Sequence, residues 1–97
     1  MLKFCLIIIL EVTAFCFQIS VYNYEIFQKT DKSYGYKIRK ESKVLIYQEI
    51  VPGRDGNMGF KSKVDCIKIA QLVLLKMESG RFPPIVTKED LKKLNIK

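Results

Sequence analysis

The chain has 97 residues, 17 Lys and Arg against 10 Asp and Glu, and a formal net charge of +7, which leaves room for one small domain. It contains no histidine, so the commonest general base and the commonest protein ligand of transition metals are both missing. The basic residues are interspersed with acidic ones and form no long run. We therefore expect no metal, no cofactor and no nucleic-acid partner.

The first 21 residues form an apolar leader that should direct the chain to a membrane. Lys3 provides a basic start, and Phe4 to Leu10 has the length of the hydrophobic segment of a cleaved signal peptide. Alternatively, the 18 residues from Phe4 to Val21 are just long enough for an uncleaved anchor, with Glu11 near its middle. We expect residues 1–21 to be a signal peptide or an N-terminal membrane anchor.

Two signals disagree on the side of the membrane that the domain occupies. Lys29, Lys32 and Lys37 follow the leader closely, whereas only Lys3 precedes the apolar run, and this asymmetry favours the cytoplasm. Short leaders of this shape are usually export signals, and folded domains can cross regardless of charge. We expect an exported protein of the cell envelope, periplasmic or membrane-anchored, with its orientation open.

Residues 24–97 are predicted to form one small α+β domain that begins with a three-stranded antiparallel sheet. The first strand is the alternating stretch YNYEIFQKT after the leader, and the second is SYGYKIRK, which places Tyr34, Tyr36 and Ile38 on one face. The third is VLIYQEI, from Val44 to Ile50. Because it is apolar on both faces, it is predicted to be the central or best-covered strand.

A glycine-rich loop, IVPGRDGNMGF, follows from Ile50 to Phe60. Pro52 ends the strand because it lacks a backbone donor, and three glycines permit tight turns. The loop lacks the Gly-Lys-Ser ending of a phosphate-binding P-loop, and its glycine spacing fits no dinucleotide fingerprint. We interpret it as a strand-to-helix corner that lets Phe60 reach the core.

One main helix should cover the sheet. Ser62 to Asp65 has the form of a capping box, and Gly80 follows the helix end near Ser79. At 100° per residue, one side of this helix is apolar and includes Cys66, the one cysteine that follows the leader. Asp65 falls on the opposite, solvent side. The apolar side is defined by Cys66, Ala70, Val73 and Met77.

A short C-terminal helix should complete the domain. Pro83 and Pro84 keep the preceding segment extended. Thr87 to Asp90 forms a second capping box, and Leu91 and Leu94 can dock on the core.

The segment from Tyr47 to Ile96, together with the Tyr-Gly-Tyr strand at Tyr34, resembles the domain-of-unknown-function family numbered 4907, a family of short bacterial envelope proteins. The shared order is the Tyr-Gly-Tyr strand, an Ile-x-Pro loop with Gly-x-x-Gly-Phe, a capped helix, Gly then Pro-Pro, and a Thr-capped helix. The family loop usually has Ile-Pro, so Val51 is a small departure. The resemblance implies one domain behind an N-terminal signal or anchor and assigns no activity, ligand or catalytic residue.

Two binding hypotheses follow. In the first, the chain is a noncatalytic envelope domain that binds a protein partner or joins an assembly, since a three-stranded sheet has edges to which a peptide strand can add. Three tyrosines are candidates for that contact. They are Tyr34, Tyr36 and Tyr47. The alternative is binding of an anion, a phosphate group or an anionic lipid where the loop meets the helix, at Arg54, Lys61, Ser62 and Lys63.

Catalysis is the third hypothesis, and we do not expect it. Apart from Ser62, its candidate groups are Asp55, Asp65, Glu89 and Asp90. Three of these carboxylates fall at helix starts, where acidic residues favour the helix dipole without any chemistry. The single body cysteine, Cys66, falls among core positions without a partner base.

Overall fold

The computed structural model describes residues 21–97, so the predicted leader, apart from Val21, lies outside the described residues. The observed elements are β1 (Tyr22–Gln28), β2 (Tyr34–Lys40), β3 (Lys43–Gln48), α1 (Lys63–Glu78) and α2 (Lys88–Lys93). They confirm the predicted α+β class: one three-stranded antiparallel sheet, one main helix and a short C-terminal helix. Within residues 21–97, neither helix has the length and apolarity needed to cross a bilayer.

The sheet is a meander in the order β1-β2-β3, so β2 is its central strand. Tyr36 and Ile38 of β2 are buried on the inner face, as their alternation predicts. The prediction that β3 is the central or best-covered strand is wrong, because β3 pairs only with β2 within the described residues and Val44 is 41% exposed. Its apolar residues lie along an edge.

The core lies between α1 and the inner face of β1 and β2. The helix residues predicted to be apolar, Cys66, Ala70, Val73 and Met77, are all buried, and Ile69 joins them. Buried residues of β2 pack against this helix face, and half-buried side chains of β1 pack at the margin of the core. Burial of this face supplies most of the stability that a helix of 16 residues has in a protein.

The glycine-rich segment turns the chain from β3 into α1, as predicted. Phe60 is fully buried, and its N–H and C=O exchange hydrogen bonds of 2.9 Å with the backbone of Tyr34. Phe60 therefore pairs with the first residue of β2, beyond the residues that pair with β3. Gly59 allows this approach, because a Cβ there would lie 2.5 Å from Ser33 Oγ and 2.9 Å from the Glu49 carbonyl oxygen. The corner is therefore built by close backbone packing.

Both helix starts have the predicted caps, but the first capping box is only half formed. The Ser62 hydroxyl accepts a hydrogen bond of 3.1 Å from the Asp65 N–H. The Asp65 carboxylate does not return to Ser62; it accepts the Lys97 N–H at 3.0 Å. The prediction that Asp65 faces solvent is also wrong, because the C-terminal segment covers it and leaves it buried.

The second capping box is complete and is tied to α1. Thr87 and Asp90 exchange side-chain-to-backbone hydrogen bonds of 3.0 and 3.2 Å. Lys76 of α1 donates to the Asp90 carboxylate at 2.8 Å and also to the Ile85 carbonyl oxygen. Lys76 thus joins three parts of the chain, and Leu91 is buried beside them.

Candidate interaction surface

The outer face of the sheet, opposite α1, carries a pair of stacked aromatic rings. Phe27 of β1 and Tyr47 of β3 lie on opposite edge strands, yet their ring centroids are 5.0 Å apart and their planes differ by 12°. They meet above Gly35 of β2, the register partner of Phe27. A Cβ on Gly35 would lie 2.5 Å from Phe27 Cζ, so the absent side chain makes room for the ring.

A lysine of the central strand caps this pair. Lys37 Nζ lies 5.8 Å from the Phe27 ring centroid and 5.7 Å from that of Tyr47, within the range of cation–π attraction. A side-chain hydrogen bond with Glu49 raises the pKa of Tyr47. We call Phe27, Gly35, Lys37 and Tyr47 the aromatic cluster.

The edge strand β3 borders the aromatic cluster with a run of uncharged residues. After Lys43, the strand continues with Val44, Leu45, Ile46 and Tyr47, and Tyr47 is 55% exposed. Within residues 21–97, β3 has no strand on its far side, so alternate backbone groups along that side are not paired in the sheet. Charged residues and prolines usually protect such an edge, and this run contains neither.

The opposite edge strand, β1, is more polar. On its outer face, Asn23 is exposed, and Glu25 accepts a hydrogen bond of 3.0 Å from Arg39 Nε. The apolar, solvent-facing edge of the sheet is therefore β3.

The structure does not bring together the three tyrosines predicted to form one contact surface. Tyr36 is 2% exposed and packs against Phe60 on the inner face, where burial raises its pKa. Tyr34 shares that inner face and is half buried. Only Tyr47 belongs to the outer face.

Sequence analysis missed the neighbours of Tyr47 in the aromatic cluster, Phe27 and Lys37. Gly35 between two tyrosines was the available signal, because a glycine inside a strand often marks a close approach. Which ring approaches it depends on the strand register.

The residues predicted to hold an anion lie near the start of α1, and two of them already have partners in the protein. Arg54 donates to the main-chain oxygens of Lys97 and Ile96 at 3.1 and 3.4 Å, and Ser62 caps the helix. Lys61 borders a cavity of about 200 Å³ with Arg54, whereas Lys63 is exposed on the first turn. The Ser62 hydroxyl therefore already occupies the Asp65 N–H, one of the backbone donors that an anion at the helix start would use.

The other candidate reactive groups are buried, are engaged in contacts that hold the fold, or lie exposed on the surface. Burial raises the pKa of the Cys66 thiol to about 12 and so disfavours the nucleophilic thiolate. Asp65 and Asp90 hold the C-terminal segment and α2, whereas Asp55 and Glu89 are exposed. In the described part of the chain, no group of three or more His, Cys, Asp or Glu residues is placed to hold a metal ion.

Fold and surface together define a small α+β domain whose most distinctive exposed feature is an aromatic cluster beside an apolar sheet edge. The chain belongs to the family described as a domain of unknown function, DUF4907, whose model matches residues 25–93. This match confirms the family resemblance found in the sequence. No curated protein and no solved structure matches the chain.

Proposed function

We propose that this protein is a noncatalytic, membrane-tethered domain of the cell envelope that binds an extended, apolar segment of a partner protein along β3. The partner segment would add as a fourth strand, and its side chains would pack on the aromatic cluster. The single observation that carries this proposal is the uncharged run Val44 to Tyr47 along the β3 edge, in which the Tyr47 ring is exposed.

The physical basis is strand addition. An edge strand offers unpaired N–H and C=O groups in a regular row, and a partner strand satisfies them while alternate side chains provide specificity. Tyr47 suits the role of an anchor because stacking on Phe27 fixes its ring in advance, which lowers the entropy lost on binding. A partner strand along β3 would also cover the exposed Val44.

The noncatalytic part of the proposal is supported by the state of the reactive groups. The Cys66 thiol is buried with a raised pKa, and the Asp65 and Asp90 carboxylates are engaged in contacts that hold the fold. General acid–base catalysis would need at least one such group positioned in a cleft and available to a substrate.

Site-specific photocrosslinking in intact cells tests the proposed edge. A photoreactive amino acid at position 44 would lie on the β3 edge, and one at position 23 would lie in the same cross-strand row on β1, because Arg39 pairs with both residues. We expect a discrete adduct from position 44 and none from position 23. Recovery of the monomer alone, or equal adducts from both positions, would contradict the proposal.

Substitution of the anchor adds a second readout. Tyr47→Ser removes the ring and should abolish the adduct from position 44, whereas Tyr47→Phe keeps the stacking and should retain it. An adduct that persists unchanged in Tyr47→Ser would show that the partner does not use the aromatic cluster.

A further inference from the structure

The end of the domain at which β1 begins combines aromatic and basic side chains. Tyr22, the β2–β3 turn, the end of α1 and the segment after it enclose a shallow groove of about 490 Å³, with Lys40, Lys43, Met77 and Phe82 in its lining. We call this region the Tyr22 end. It is where the apolar leader sequence joins the described chain.

Apolar surface at the Tyr22 end is exposed. Phe82 is 67% exposed, and Val21, which precedes Tyr22 in the chain, is 55% exposed. Lys40 Nζ lies 5.9 Å from the Tyr22 ring centroid. Aromatic rings next to lysines are characteristic of the bilayer–water interface, where the ring enters the acyl boundary and the cation stays among headgroups.

Two lysines face each other at this end. Lys40 and Lys43 are direct register partners across the two-residue turn, and like charges in this arrangement destabilise a sheet. Neither forms an ion pair with any residue in 21–97. Among residues 21–97, Glu41 in the turn is the only carboxylate that lines the groove, and Arg81 precedes Phe82 in the chain. A layer of anions outside the protein would relieve this repulsion.

We propose that the Tyr22 end docks on the headgroup layer of an anionic bilayer, with Phe82 inserted at the interface and Lys40 and Lys43 against lipid phosphates. This inference rests on the proposed membrane tether, because residues 4–21 would hold Tyr22 next to the bilayer. Docking fixes the orientation of the domain and leaves β3 running away from the membrane toward a partner.

The same geometry separates this surface from the anion site predicted in the sequence. Tyr34 and the start of α1 lie at the far end of β2, which has seven residues and is therefore ~20 Å long. A domain tethered at Tyr22 would hold Arg54 and Lys61 away from the lipid. The membrane contact is assigned to the Tyr22 end for this reason.

A tryptophan reporter can test the docking, since the chain has no tryptophan of its own. The full chain carrying Phe82→Trp is reconstituted into vesicles of phosphatidylcholine alone or of equal parts phosphatidylcholine and phosphatidylglycerol. Quenching by brominated lipid then measures contact with the bilayer. The matched control is Met58→Trp, because Met58 is also highly exposed, at 57%, but lies in the glycine-rich loop at the other end.

We expect quenching of Phe82→Trp that is stronger in the anionic vesicles, and no quenching of Met58→Trp. Each lysine near an anionic surface contributes roughly fivefold, so Lys40→Gln with Lys43→Gln should lower the ratio of docked to undocked protein roughly 30-fold. Lys61→Gln with Lys63→Gln makes the same charge change at the far end and should leave the quenching unchanged.

Flotation of the same vesicles separates this inference from the tether. If the chain floats with both lipids but Phe82→Trp is not quenched, docking is refuted and the tether stands. If quenching of Phe82→Trp is the same with and without phosphatidylglycerol, or is unchanged by the Lys40 and Lys43 substitutions, the lysines have no role and the docking as proposed is refuted. A chain that floats with neither lipid overturns both the tether and the docking.

Discussion

Replacing Gly35 by alanine should disrupt the aromatic cluster and destabilise the sheet. The new Cβ would lie 2.5 Å from the Gln48 carbonyl oxygen and 2.5 Å from Phe27 Cζ, so both a backbone and a ring must move. Overpacking of this kind costs about 1–3 kcal/mol. The loss of glycine entropy in the unfolded chain offsets about 0.5–1 kcal/mol of that cost. We therefore expect Gly35→Ala to lower the free energy of unfolding by about 1–2 kcal/mol.

Urea unfolding of the full chain in a nonionic detergent, followed by far-ultraviolet circular dichroism, measures this change. Phe27→Leu with Gly35→Ala removes the ring atoms of one clash and leaves the Gln48 contact. We therefore expect the double variant to show a favourable coupling energy of about 0.5–1 kcal/mol relative to the two single variants. A Gly35→Ala protein as stable as the unsubstituted chain would refute the close stacking over β2.

Three further predictions concern the contacts that hold the helices and the core. Donation from Lys76 lowers the pKa of Asp90 from 3.8 to about 2, below its unfolded value, so the contact stabilises the fold above about pH 4 and is lost as the pH falls toward 2. Asp90→Asn should cost about 2 kcal/mol at pH 7 and little near pH 2 in urea titrations, whereas the exposed Glu89→Gln should cost little at either pH. Ser62→Ala should cost about 1 kcal/mol by leaving the Asp65 N–H without its cap, as measured by thermal unfolding, and an unchanged midpoint would contradict that role. In a chain whose two leader cysteines are replaced by serine, Cys66 should react with a thiol reagent only after urea unfolding, and prompt reaction of the folded protein would contradict its burial.

Local signals allowed much of the fold to be predicted. The caps at Ser62 and Thr87 depend on residues within one helical turn, and alternation along β2 depends on neighbours in the same strand. Strand order cannot be predicted from such local signals, because it depends on which strands pair with one another. The apolar run of β3 looks the same in the sequence whether it is buried in the middle of a sheet or lies along an edge beside a ring stack.

The candidate site was only partly predictable for a similar reason. Tyr47 could be named from the sequence, but Phe27 and Lys37 join it through the antiparallel register, which brings together residues distant in the chain. Asp65 was misplaced because a helical projection assigns polar residues to solvent, and only the fold shows that the chain near Lys97 covers that position. Contacts between distant segments decided both outcomes.

Hydrogen exchange of the protein in native membranes, compared with the purified chain in detergent, tests most directly whether β3 binds a partner strand. We expect the amides of β3 to exchange more slowly in the membranes, while those of β1, the other edge strand, exchange at the same rate in both samples. Equal exchange of β3 in the two samples, under conditions where β2 stays protected, would contradict strand addition at this edge.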